Sequence, residues 1–384
     1  MNLNRLRNSG IAFVFLSLIG FPLINENFGL IKDIKSFENR KMSPKPKFDV
    51  KHLDQFPTPY ETYYNDTFSL RSRLIKSFNL FTVGAFDKSP YPEKLIIGKN
   101  KWLFMAGDEI NCYLGKNPLS LEEMEKLRKE FEYRTKIYDS LGAKFYVLVA
   151  PNKATIYSNK VPYNFYKINA QSWGEQLISY LIQHNFKNTV NVFPQFKLKS
   201  KTEILHRKLD NHWNNLGAFY AAQQVTQTLS KDFSDVSILM RDRMTVEEIA
   251  LPEGNIKQIL GDDFYFYQKD TDFEVKPLSG FKATRSPNQA YKVPAGFPYH
   301  WLYESHLNNK HSNKRSLLII SDSFGEAIFP FLGESFENTT KIWDSWDYGI
   351  NVEIVAKEKP DAVVLIIHEA LIRNILAHLS YLKN

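Results

Sequence analysis

Residues 316–325 read Ser316-Leu317-Leu318-Ile319-Ile320-Ser321-Asp322-Ser323-Phe324-Gly325, and this stretch decides the fold. A short apolar run bounded by turn residues is the pattern of a strand buried on both faces, and hence of a parallel sheet. Helical spacing resumes over about 325–335. Ser323 therefore falls at a strand-to-helix turn on the carboxyl edge of the sheet, where open α/β folds bind ligands. The turn predicts a nucleophilic serine, with the following backbone N–H groups facing a developing oxyanion. Gly325 is expected to let the chain turn sharply and the substrate approach. An Asp-Ser pair at a helix start is also a common N-cap, which leaves a structural role open.

Two further runs match the first: Lys144–Ala150 (KFYVLVA), between Gly142 and Pro151, and Ala362–Ile367 (AVVLII). Between them the sequence predicts a helix from Ser120, capped with Glu123, to about Ser140, then a helix over about 170–184. A strand at Thr189–Phe193 and a helix over about 214–230 follow. Further helices are expected over 349–358 and from the last strand to about Leu379. Strands alternating with helices predict an α/β fold with a mostly parallel sheet covered on both faces. Residues 231–315 break this rhythm with Gly254, Gly261, Gly280, Gly296 and Pro298, and read as an irregular insertion. It is either a substrate-side element or a small β appendage.

Upstream, Lys94–Ile97 and Trp102–Met105 flank Gly98–Lys101 as a hairpin. Phe68, Leu70, Leu74, Phe78 and Leu80 predict a helix within 60–86. Residues 26–60, with Pro44, Pro46, Pro57 and Pro59, read as an extended tether or strap. Arg5 and Arg7 precede an apolar run, Ile11–Ile24, broken only by Ser17, Gly20 and Pro22. This is a charged start followed by a hydrophobic stretch, with no small-x-small cleavage site after it. It predicts an uncleaved signal anchor over 1–25, a cleaved signal peptide being the alternative. The leading positive charges predict a cytoplasmic N-terminus and an exported body. The expected organisation is an anchor (1–25), a strap and hairpin (26–115) and a catalytic domain (116–384) carrying the insertion.

Composition narrows the function classes. With 43% hydrophobic and 24% charged residues in 384, the chain can bury a core as one large domain or two ordinary ones. The 29 Phe and 20 Tyr suit a core or a carbohydrate groove. The net charge of +7 comes from dispersed lysines, not from a basic stripe interleaved with aromatics, which argues against nucleic acid. It suits an anionic membrane or an acidic polymer. Cys112, the single cysteine, excludes an intrachain disulfide and a Cys-based zinc site. No metal or cofactor is implied.

The second chemical motif is Asp210-Asn211-His212-Trp213, followed by Gly217-Ala218. Asp210 can hold Nδ1–H of His212, fixing the tautomer, while Nε2 faces a serine as general base. Asp-x-His also reads as a pair of metal ligands with His206 nearby, or as a capped helix start. Around this triad stand weaker candidates. Lys153 would meet an anionic substrate group or lie in solvent. His368 and Glu369 would line the pocket or cap the last helix, Arg373 would pair with Glu369, and Trp213 would pack beneath the turn.

Taken together, the motifs resemble the bacterial alginate O-acetyltransferase family of the AlgJ and AlgX type, the DHHW proteins, with an SGNH-hydrolase-like domain. The resemblance runs through Glu38-Asn39-Arg40 with Pro44 and Pro46, Asn65-Asp66-x-Phe68 with Arg71, Gly98 to Phe104, and Pro151-x-Lys153 with Tyr157 and Pro162. It continues through Asp210-x-His212-Trp213, Gly254 to Gly261, and Asp322-Ser323-Phe324-Gly325. Ser321 stands where SGNH proteins carry Gly, and Asn211 replaces the second His of Asp-His-His-Trp. The Asp-x-His precedes the serine block, the permuted order of this family. No counterpart of the SGNH oxyanion Asn block is visible. The resemblance implies acetyl transfer to hydroxyls of an exported polysaccharide, with Ser323 acylated, His212 as base and Asp210 orienting it. It also implies a membrane-bound O-acyltransferase partner, and a single-pass protein of the bacterial inner membrane with its catalytic domain in the periplasm. A carbohydrate acetylesterase with the same triad, and a non-catalytic polysaccharide-binding or assembly scaffold, are the alternatives.

Overall fold

The computed structural model describes residues 3–34, 41–251, 254–261, 264, 267, 270–286, 303–345 and 347–382. Glu38-Asn39-Arg40, Gly296 and Pro298 lie outside them. The chain divides into two units, Met1–Pro90 and Tyr91–Asn384.

In the first unit, α1 (Leu3–Phe28) is one continuous helix. Its Arg7–Phe28 portion is 22 residues long and apolar enough to cross a membrane, about 33 Å at 1.5 Å per residue. The extended strap gives way at Val50 to a 3-10 turn capped by Asp49. Pro57 then opens α2 (Pro57–Thr67), where the missing N–H costs nothing. The single helix expected within 60–86 is two, because Leu70 turns left-handed at φ 66° before α3 (Arg71–Phe86). The break lets Arg71 Nε donate to the Asn65 carbonyl at 2.7 Å, satisfying a group that the end of α2 leaves open.

The second unit begins with the expected hairpin, β1 (Leu95–Ile97) paired antiparallel with β2 (Leu103–Met105). Next come α4 (Asp108–Leu114) and α5 (Leu121–Ser140), which starts in the Ser120–Glu123 capping box. They lead to β3 (Lys144–Ala150), α6 (Lys153–Ile156) and α7 (Trp173–Gln183). β4 pairs only at Thr189–Val190, since Phe193-Pro194 already starts α8 (Phe193–Lys199). The chain then forms α9 (Asn215–Leu229), β5 (Met244–Leu251), α10 (Asn255–Leu260), β6 (Asp270–Pro277), β7 (Thr284–Arg285) and β8 (Glu304–Leu307). It closes with β9 (Ser316–Ser321), α11 (Gly325–Leu332), β10 (Asn338–Trp343), α12 (Val352–Glu358), β11 (Ala362–His368) and α13 (Ile372–Ala377).

The central sheet runs β4-β3-β11-β9-β10-β8-β7, with the first five strands mutually parallel, β8 antiparallel to β10, and β7 antiparallel to β8. Alternate residues of β3, β9 and β11 feed two cores. Tyr146, Leu148, Leu317, Ile319, Val364 and Ile366 pack with α9 and α11. Phe145, Val147, Leu318, Ile320, Val363 and Leu365 pack with residues of α5, α7, α12 and α13. Each such side chain is worth about 1.5–3 kcal/mol on burial.

Sequence periodicity missed β10, whose Asn-Thr-Thr-Lys-Ile-Trp is polar yet mostly buried. Two of its polar side chains find partners within the fold, while the buried Thr339 hydroxyl has none among the described residues. Thr340 Oγ1 donates to Ser305 Oγ at 2.9 Å, and Lys341 is paired with Glu326. The insertion is also more regular than its composition suggests. β5 and β6 pair from Met244↔Pro277 to Leu251↔Asp270 around α10.

Candidate active site

Ser323 follows β9 with no intervening residue except Asp322. Asp322 is buried and fastens the turn. Its Oδ1 accepts from the Phe324 amide (2.9 Å), and its Oδ2 from Tyr348 Oη (2.9 Å) and the His368 amide (2.6 Å). Burial pushes its pKa up and these donors oppose the shift. The next ring, Phe324, is clamped by His368 stacked at 4.6 Å, Trp213 edge-on at 5.0 Å and His212 at 5.0 Å.

Gly325 answers a different need from the expected one. A Cβ there would lie 1.9 Å from Ser321 Oγ and 2.6 Å from Ser321 Cβ, so glycine makes room for the chain's own serine. The oxyanion expectation narrows too. The Phe324 amide is taken by Asp322 Oδ1, and Gly325 N donates to the Asp322 carbonyl at 3.1 Å. Of the turn's first three amides, that leaves Ser323's own.

The histidine comes from an irregular loop. Asp210 Oδ1 accepts from both the His212 amide (2.9 Å) and Nδ1 (2.7 Å), a local turn that lets a carboxylate two residues back reach the ring. Asp210 Oδ2 accepts from the Asn255 amide at the start of α10 (2.9 Å). This approach needs Gly254, where a Cβ would meet the Leu209 carbonyl oxygen at 2.3 Å. Burial would raise the Asp210 carboxyl, but the His212 ring and the two amides outweigh it and hold it far below the usual carboxylate range. His212 Nε2 lies 2.6 Å from Ser323 Oγ. With Nδ1–H committed to Asp210, Nε2 is the acceptor for the serine proton.

Lys153 is neither in solvent nor in the pocket. It is buried, and its Nζ donates to the carbonyls of Arg207 (3.1 Å), Lys208 (3.1 Å) and Asp210 (2.6 Å). Burial lowers its pKa to about 8. On the other side of the loop, the buried Asp270 accepts from the amides of Lys208 and Leu209, both at 2.8 Å. Asp272 accepts from the Asn215 amide (2.8 Å) and pairs with Arg207 (2.6 Å). The insertion thus holds the Asp-x-His loop. Trp213 is buried against Phe196 and Phe324. His206 is buried among aromatics with Nε2 on the Pro151 carbonyl at 3.1 Å, and its pKa falls to about 3. Among the described residues, no group of three His, Cys, Asp or Glu has metal-binding geometry.

An open pocket of about 260 Å³ meets Ser323, with Glu109, Asn211, Phe324, His368 and Leu371 in its wall. His368 is buried, and burial takes its pKa down to about 3, so the ring is neutral. Glu369 is not in this wall. It accepts from the amides of Asn152 (2.7 Å) and Gly174 (3.1 Å) and from Thr155 and Ser172 hydroxyls, tying α6 to α7. Arg373 bonds Glu123 (3.3 Å) and the Asn117 carbonyl (2.8 Å), not Glu369, and stacks over Trp173 at 4.2 Å. It lines an adjoining depression that shares Asp108, Ala370 and Leu371 with the pocket.

Sequence reasoning missed Glu109. Its carboxylate accepts from Asn211 Nδ2 at 2.8 Å, and burial pushes its pKa up to about 7. No local motif marks it, because it reaches the site from α4.

Residues 95–268 match the family model described as the SGNH hydrolase-like domain of the acetyltransferase AlgX. The match takes in Asp210 and His212 and stops before Ser323. No curated protein matches the sequence. Among solved structures, Bacillus cereus PatB1 with a sulfonyl adduct is similar at 16% identity and TM-score 0.52, over 72% of this chain and 97% of that one. A DHHW family protein from Eubacterium siraeum is 16% identical at TM-score 0.50, over 74% and 99%. The O-acetyltransferase domain of Pseudomonas putida AlgJ is 14% identical at TM-score 0.47, over 73% and 92%. The first two likenesses show the fold. Over residues 95–268 the chain is similar to the SGNH hydrolase-like domain of the acetyltransferase AlgX, and that similarity supports an acyltransferase of SGNH type.

Proposed function

We propose that the protein is an O-acetyltransferase that acetylates hydroxyls of an exported polysaccharide through an acyl-Ser323 intermediate. The observation that carries this reading is the unbroken row from Asp210 through His212 to Ser323 Oγ, at 2.7 and 2.6 Å, opening on a pocket. In the first half-reaction Ser323 Oγ attacks the acetyl carbonyl and its proton passes to His212 Nε2. The tetrahedral adduct, facing the Ser323 amide, expels the donor's oxygen, which takes that proton. A sugar hydroxyl then attacks acyl-Ser323, gives its proton to His212, and leaves as the acetyl ester while Ser323 regains the proton. Asp210 stays ionised and stabilises the imidazolium in both halves.

The adjoining depressions suit an acceptor longer than one sugar ring. In this reading α1 is a membrane anchor, the catalytic unit faces the periplasm, and acetyl arrives from a membrane-bound O-acyltransferase. The open pocket favours a second reading, an acetylesterase, because water reaches His212 as readily as a sugar does.

The test is peptide mass spectrometry after exposure to an activated acetyl ester. Acetylation of the Ser323 peptide, absent in Ser323→Ala, is expected, and an unmodified Ser323 with turnover intact overturns the mechanism. Adding an acceptor oligosaccharide separates the two readings. Acetylated sugar supports transfer, and free acetate alone supports the esterase.

A further inference from the structure

We propose that α3 is an interfacial helix, lying in the headgroup layer of the membrane with Leu74, Phe78 and Phe81 turned into the acyl boundary. The proposal rests on the reading of α1 as a membrane anchor. At 100° per residue, Leu74, Phe78, Phe81 and Ala85 fall within an arc of about 60°. The three large side chains are 47%, 65% and 61% exposed. The residues α3 buries, Ser72 and Val83, sit on the opposite side. A helix of a water-soluble protein is built the other way round, with its aromatic face inward. A contiguous exposed apolar stripe of this kind marks a contact surface.

Three observations commit that surface to lipid. First, the start of α3 is tied to the end of the spanning helix. Asn25, buried in the last turn of α1, donates from Nδ2 to Ser69 Oγ at 2.7 Å, one residue before the Leu70 turn. Arg73 Nε donates to the Lys32 carbonyl at 2.7 Å, four residues past the end of α1. α3 therefore starts where the chain leaves the bilayer. The headgroup layer is about 5–8 Å thick there, the depth at which amphipathic helices settle. Second, α3 carries Arg71, Arg73 and Lys76 and no acid, the charge that complements anionic phospholipid. Third, Phe86 continues the exposed apolar surface at the far end of the helix, at 59% exposure.

A helix held at the surface keeps the chain at the lipid up to Phe86, just before the catalytic unit begins at Tyr91.

The full chain lends itself to a direct test, because Cys112 is the single cysteine and is buried. Phe78→Cys carries an environment-sensitive fluorophore on the stripe, and Leu16→Cys carries it in α1. Both are reconstituted in vesicles of phosphatidylcholine and phosphatidylglycerol at roughly 7:3. Lipids bearing a nitroxide near the headgroup are expected to quench the label at 78 about two-fold more than lipids with a deep nitroxide, and the label at 16 the reverse. If 16 is quenched and 78 is not, the anchor stands and this proposal falls. Shielded emission at 78 without lipid quenching means that protein covers the stripe, and also overturns it. If neither label is quenched, the anchor reading and the proposal fall together. Turnover of a soluble ester by both labelled chains shows that they are folded.

Discussion

Ser323 rides on β9 and α11, whereas His212 sits in residues 205–214, where the only pairing is an isolated bridge between His206 and Trp213. The two arms meet in one hydrogen bond but are held by different forces. The serine arm is set by close packing, with Ser321 against Gly325 and Phe324 among His368, Trp213 and His212. The histidine arm is set by buried charge. Lys153 takes three of its carbonyls, Asp270 takes two of its amides, and Asp272 takes the Asn215 amide just past it and pairs with Arg207. The serine turn, fastened by the single carboxylate of Asp322, meets its other backbone needs within β9 and α11 and depends chiefly on volume. An irregular loop leaves backbone groups without partners, and each must be met by a side chain or left at a cost. The serine arm is therefore sensitive to size, and the histidine arm to charge and hydrogen bonding.

The largest expected effect comes from breaking the histidine arm at its centre. Lys153→Met keeps much of the side chain's bulk against Trp102 and Phe104 but takes the ammonium donor from all three carbonyls, of which, among the described residues, Lys208's alone keeps another donor, the Leu103 amide. We expect a loss of about 2–4 kcal/mol in chemical denaturation. We also expect kcat for an activated ester to fall about 10²-fold or more, because His212 loses its orientation. If stability drops while kcat holds, Lys153 supports the fold without positioning the base.

A size change in the serine arm is expected to cost less and to be repairable. Gly325→Ala places a methyl group on Ser321 and should destabilise by about 1–3 kcal/mol, with a matching fall in activity as the turn shifts. Ser321→Gly removes the obstructing Cβ and Oγ, so the double variant should regain most of the loss. That outcome would show the two positions to be one packing unit. Additive losses in the double variant would mean that the turn fails for another reason.

The same contrast explains what the sequence made legible. The three core strands announce themselves, because parallel strands buried on both faces must be apolar throughout. Ser120–Glu123 announces its helix because the capping box is local chemistry. Asp210 and His212 are readable as a pair because they are two residues apart. β10 is not readable, since Thr340 and Lys341 are polar residues made tolerable in the interior by partners 15 to 35 positions away. Lys153 is misread for the same reason, since nothing near it in sequence says that its partners are carbonyls at 207–210. Asp270 and Asp272 look like turn residues in an irregular insertion, and only the tertiary fold turns them into the backing of the histidine loop.

The smallest expected effect lies where the arms share a wall. Glu109 projects from α4 into the pocket with Ser323 and bonds Asn211 on the histidine arm. Burial puts its folded pKa at about 7, against 4.5 for a free glutamate side chain. Between those values the folded protein holds a proton that the unfolded chain has lost, so stability falls as pH rises through this window and the penalty is constant above it. Glu109→Gln retains an oxygen acceptor for Asn211 and removes the titration. The variant should therefore match the parent near pH 4.5 and exceed it at pH 8, by on the order of 1–3 kcal/mol, read as a shift in denaturation midpoint. The same difference at both pH values would mean that Glu109 ionises as it does in water, and that the pocket wall is wetter than its burial implies. A difference that grows from pH 4.5 and levels off near pH 7 places a neutral, proton-bearing carboxyl beside Ser323 under mildly acidic conditions, joining the packed arm to the charged one.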